Sequence, residues 1–172
     1  HYERGEVVIN LTKKQGAGSL AHEWWHALDN YFSRQRGDAG SYMSEDARRG
    51  DGVREEMRAA FREVVSAIQR TGMQERSRKL DERRTKEYWS TKTEMSARAF
   101  ESYVIAKLQD QNAGNDYLAN VVGHAVFALE GAYPYPTAGE MAPIREAFDG
   151  FFRAVETREA DDGTTVLYST SS

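Results

Sequence analysis

Apolar residues recur with a helical period in four stretches of the chain. Between Ser19 and about Ser33, Ala21, Trp24, Trp25, Leu28, Tyr31 and Phe32 share one broad side of a helical wheel, with Ser19 as an N-cap. From Val53 to about Arg70 the inward positions are Met57, Phe61, Val64, Val65 and Ile68. From Thr91 to Leu108 they are Met95, Phe100, Val104 and Leu108. Pro143 opens a last helix through about Glu156, with Ile144, Phe148, Phe151 and Phe152 inward, and proline suits a first helical turn. Tyr117 to Leu129 is apolar almost throughout and reads as a buried helix.

Two short runs follow a different pattern. Glu6 to Leu11 is β-branched and apolar, and Thr164 to Tyr168 follows an Asp161-Asp162-Gly163 turn; both read as strands. Lys13 to Gly18 and Arg36 to Gly52 read as loops, and Gln109 to Asp116 as a polar break. Tyr133-Pro134-Tyr135-Pro136 is a stiff, extended turn. The pattern predicts an α+β fold, mostly helical, with a small, reduced β-sheet. It predicts a single domain over residues 1–172, cut from a longer chain because it opens at His1.

Composition narrows the function. The 172 residues are 40% hydrophobic and 29% charged, an ordinary globular balance with enough chain for a core. No apolar run approaches membrane-spanning length. A net charge of −4 gives no global basic field for nucleic acid. The stretch from Arg70 to Lys86 is locally basic, partly offset by Glu75, Asp81 and Glu82. It reads as a solvated helix face, with a polyanion patch as the alternative. There are no cysteines, so disulfides and thiolate metal sites are excluded, and a cytoplasmic location is the expectation.

One motif carries chemistry. His22-Glu23-Trp24-Trp25-His26 has the form H-E-x-x-H inside a predicted helix. Positions i and i+4 project side by side, so both imidazoles can reach one metal ion. The intervening Glu23 points about a third of a turn away, where its carboxylate can take a proton from a metal-bound water. This predicts Zn2+ as the cofactor, His22 and His26 as ligands, and Glu23 as general base.

A catalytic zinc needs a third protein ligand and an open position. His1 is terminal, and His124 sits in an apolar stretch that suits a core histidine. Carboxylates are therefore favoured: Asp29, Glu94 or Glu101. Asp29 lies two turns beyond His22 on the same helix, too far along the axis to share its ion, so it is expected to accept a hydrogen bond from an imidazole. Glu94 and Glu101 share one face of the Thr91 to Leu108 helix, about 10 Å apart along its axis, so only one of them can bind the metal.

Glu94-Met95-Ser96-Ala97-Arg98-Ala99-Phe100 is similar to the E-x-x-A-x-x-F helix of glutamate-type zincins, the protease domain of anthrax lethal factor among them. That resemblance implies Glu94 as third ligand and leaves Glu101 a supporting role. Leu11 to Phe32, Tyr88 to Val104 and Tyr133 to Pro136 further resemble the large polyvalent protein-associated domain 1 family. This implies a zincin-like domain of a long multidomain protein that accompanies phage or conjugative DNA.

The expected activity is zinc-dependent peptide hydrolysis on a protein or peptide substrate, laid along the Glu6 to Leu11 strand. Tyr88 and Tyr135 are candidate donors to the oxyanion. No membrane partner is expected, and nucleic acid is not expected to bind this domain. The rival reading is a metal-stabilised interaction module without turnover; an intact Glu23 argues against it.

Overall fold

The computed structural model describes residues 17–47, 52–110 and 133–162, with side chains described over 20–155 of those ranges. Among the described residues five α-helices run in order: α1 (Ala17–Gln35), α2 (Glu55–Gln69), α3 (Met73–Asp81), α4 (Lys92–Asp110) and α5 (Met141–Asp162). Short 3-10 turns lie at Met43–Glu45 and Ala138–Glu140.

The expected α+β fold is corrected by this architecture, because every regular element among the described residues is helical. The physical reason lies in how the core closes. α1 packs along α4, α2 packs along α5, and these pairs meet. The apolar face of the motif-bearing helix is thus covered by other helices, with no sheet needed to cover it. The runs Glu6 to Leu11 and Thr164 to Tyr168 lie outside the described residues, as do Tyr117 to Leu129, His1 and His124.

Trp25 anchors the core. Its ring is fully buried and lies 5.2 Å from each of Phe100, Phe148 and Phe151, centroid to centroid. Its indole N–H donates to Ser96 Oγ at 2.9 Å, so the polar edge is satisfied inside the core. The fully buried Ala97 and Ala99 leave room for α1 to lie close against α4.

α1 and α5 exceed their predicted bounds. α1 begins at Ala17, so Ser19 lies inside it and is not its cap. α5 continues through Asp162, past the expected stop near Glu156. The end of α1 follows local chemistry. Gly37 adopts φ 87°, its N–H reaches the Arg34 carbonyl at 3.0 Å, and the Asp38 N–H reaches Ser33 at 3.0 Å. These are the paired bonds of a left-handed helix stop. Gly52 also has positive φ, and a Cβ there would lie 2.5 Å from the Gln35 carbonyl oxygen.

The expected loop from Arg36 to Gly52 is tied back to α1 over its described part. Asn30 Nδ2 donates to the carbonyls of Ala39 and Ser41 at 3.0 and 2.9 Å, and Arg36 donates to those of Tyr42 and Asp46. These bonds carry the Met43–Glu45 turn up beside the second half of the motif.

Candidate metal centre

His22 and His26 lie one turn apart on α1, with ring centroids 4.7 Å apart and planes at 76°. α4 brings Glu94, in its first turn, between them. Glu94 Oε1 lies 3.0 Å from His22 Nε2, and Oε2 lies 2.8 Å from His26 Nε2. Among the described residues, His22, His26 and Glu94 form a group whose donor atoms all lie within 4.8 Å of one another. The same nitrogens and carboxylate oxygens that now share protons can share a cation.

Glu101 takes the other side of His22. Its Oε1 lies 2.7 Å from His22 Nδ1, two turns along α4 from Glu94. The two glutamates thus meet different atoms: Glu94 faces both Nε2 atoms, and Glu101 meets the Nδ1 of His22. Burial alone would push the His22 pKa down, but hydrogen bonds and charge from Glu101 and Glu94 raise it to about 9. Burial pushes Glu94 up, yet the His22 and His26 hydrogen bonds outweigh it and hold Glu94 well below the usual carboxylate range. Glu101 is raised, because burial outweighs the help of His22.

Asp29 is fully buried one turn past His26. The hydrogen bond expected from an imidazole goes elsewhere: Asp29 accepts from the Ser44 backbone N–H at 2.7 Å and from the Ser44 hydroxyl. Burial raises its pKa to about 6 against those two bonds. Asp29 thus fastens the Met43–Glu45 turn to α1, and Tyr42, just before the turn, packs its ring 5.7 Å from that of His26. His26 Nδ1 is buried and has no hydrogen-bond partner among the described residues.

Glu23 is solvent-exposed on α1, beside the histidines in sequence. Tyr88 is 40% exposed. Burial, then the Glu94 charge, raises the Tyr88 pKa, with Glu23 adding to it. Tyr135 is raised by burial and by the Glu101 charge, so it too stands near the carboxylates. The residues next to both tyrosines, Trp89 and Pro134, are bonded through their carbonyls to Arg98 of α4.

Residues 80–159 match the large polyvalent protein-associated domain 1 family. The matched stretch carries Tyr88, Glu94, Glu101 and Tyr135. It does not reach α1, so the H-E-x-x-H residues come from outside the part that resembles this polyvalent protein-associated domain. No curated protein and no solved structure matches the chain. Among the described residues, no helix is long and apolar enough to cross a membrane.

Sequence reasoning missed Ser44, Ser96 and Asp81, and it did not place Arg98. Arg98 had a readable signal: a cation flanked by two alanines, four residues after Glu94 and three before Glu101 on one helix face. Ser44 and Asp81 act through loop geometry, which leaves no period in the sequence.

Proposed function

We propose that this chain is a zinc-dependent endopeptidase domain of glutamate type, with His22, His26 and Glu94 holding the ion. The observation that carries the reading is the meeting of both Nε2 atoms of the H-E-x-x-H helix with one carboxylate from a second helix. Two imidazoles and a carboxylate suit a catalytic zinc that keeps a position open, and no thiolate exists to close it. A zinc ion there supplies a Lewis acid and lowers the pKa of a water molecule.

The chain's own groups do the rest. Glu23, exposed to arriving substrate, takes the proton of the attacking water and delivers it to the leaving amine. Tyr88 and Tyr135 donate hydrogen bonds to the oxygen of the scissile carbonyl as its charge develops. Glu101 fixes the ring of His22 and raises its basicity as a ligand. The substrate is a protein or peptide. The polyvalent-protein match fits a domain within a longer cytoplasmic protein that accompanies phage or plasmid DNA.

Cleavage of a broad peptide library, read by mass spectrometry, tests this reading. Zinc-loaded protein is expected to cut, to stop after chelation, and to resume when zinc returns. A zinc-binding protein that cuts nothing would be the interaction module instead.

A further inference from the structure

Arg98 is 1% exposed, although it carries a charge that is costly to bury without partners. Its Nε donates to the Pro134 carbonyl at 3.0 Å, and its Nη2 donates to Ser77 Oγ at 3.0 Å and to the Trp89 carbonyl. The guanidinium also lies over the Trp89 ring, 5.2 Å from its centroid. Each of the two carbonyls is one residue from a tyrosine. Trp89 follows Tyr88, and Pro134 precedes Tyr135.

Further contacts hold the same two segments. The Asp81 carboxylate accepts from the backbone N–H groups of Tyr88, Trp89 and Ser90 at 3.1, 3.0 and 2.9 Å. Arg76 donates to the carbonyls of Tyr133 and Tyr135 at 2.7 and 3.0 Å. Yet Asp81 and Arg76 each hold one segment to α3. Arg98 touches both segments, and it does so from the helix face that bears Glu94 and Glu101.

We propose that Arg98 is a positioning residue, which sets Tyr88 and Tyr135 together against the Glu94–Glu101 face as the paired donors to the oxyanion. The proposal rests on the peptidase reading, and it makes a structural claim that can fail separately. The planar guanidinium fork reaches two carbonyls and a hydroxyl in fixed directions; a lysine ammonium offers three donors from one point and cannot span them.

The test uses the whole chain labelled with 3-fluorotyrosine, with the Tyr88, Tyr135 and Tyr103 resonances assigned from their Phe variants. Arg98→Lys is expected to displace the Tyr88 and Tyr135 resonances, leave that of Tyr103 in place, and keep zinc affinity within about threefold. Cleavage by the same variant is expected to lose about 10–100-fold in kcat with little change in KM, since small misplacements of reacting groups cost that much. Unmoved Tyr88 and Tyr135 resonances, or movement of only one, overturn the proposal even if the protein is a peptidase. Displaced resonances in a protein that never cuts peptides keep the positioning claim and sink the peptidase reading. Should Arg98→Lys not fold, the wild-type protein decides: the Arg98 Nε–H is expected as a slowly exchanging resonance correlated to the Pro134 carbonyl carbon, and rapid exchange of that proton overturns the proposal.

Discussion

His22 Nδ1 lies 2.7 Å from Oε1 of Glu101, and this contact fixes the ring whose other nitrogen faces Glu94. A ligand histidine that donates its second N–H to a carboxylate is oriented and made a better electron donor. Glu101→Ala is expected to weaken zinc binding about 10–100-fold, measured by competition with a chromophoric chelator. Unchanged affinity would mean that packing alone orients His22.

The ligand set makes a sharper demand on stoichiometry. Purified protein is expected to hold about one zinc per chain, and His22→Ala, His26→Ala or Glu94→Ala to lose most of it. Metal analysis by plasma mass spectrometry measures this. Full retention by both histidine variants would place the metal elsewhere.

Glu140 gives the fold a dependence on acid that is independent of the metal. It accepts from Arg76 Nη2 at 2.6 Å, from the Gly72 N–H at 2.8 Å and from the Thr137 N–H at 3.0 Å. Burial pushes its pKa up, but those bonds prevail and bring it down to about 2, from an ordinary value of about 4.3. The folded state therefore binds this proton less readily than the unfolded state does. The stabilisation is present in full above the ordinary value and is lost as pH falls toward 2. Urea unfolding between pH 2 and 7 is expected to show a shallower acid limb for Glu140→Gln. An identical slope would show that Glu140 does not couple to folding.

Ser96→Ala is expected to destabilise the fold by about 1–3 kcal/mol, because it leaves the buried Trp25 N–H without its acceptor. Urea denaturation measures the change. A loss below about 0.5 kcal/mol would mean that the indole finds another acceptor or that relaxation offsets the bond.

The α1 periodicity of Ala21, Trp25, Leu28 and Phe32 could be read directly, because a helix that buries one face must repeat near 3.6 residues. The same holds for Met57, Phe61, Val64 and Ile68 on α2. The sheet expectation rested on two short β-branched runs outside the described residues; within the described residues the core closes helix on helix, which a short run's local preference does not foretell. That His22 and His26 lie side by side was legible because one helical turn fixes their spacing. That Glu94 would meet them needed a resemblance, since nothing local says which helix will lie against α1. The Asp29–Ser44 bond was hidden for a related reason. Asp29 could be placed one turn past His26, but the loop that turns back onto it is set by Gly37, Asn30 and Arg36 together.

Glu23 separates the peptidase from every other use of the same metal centre. It neighbours His22 in sequence, and it is proposed to act on water and not on the ion. The most direct measurement compares wild type with Glu23→Gln, both loaded with zinc, for metal content and for cleavage of the same peptide library. Equal zinc is expected in both, with a loss of cleavage of about 10²–10⁴-fold or more in Glu23→Gln. Cleavage at the wild-type rate by Glu23→Gln would contradict the peptidase reading.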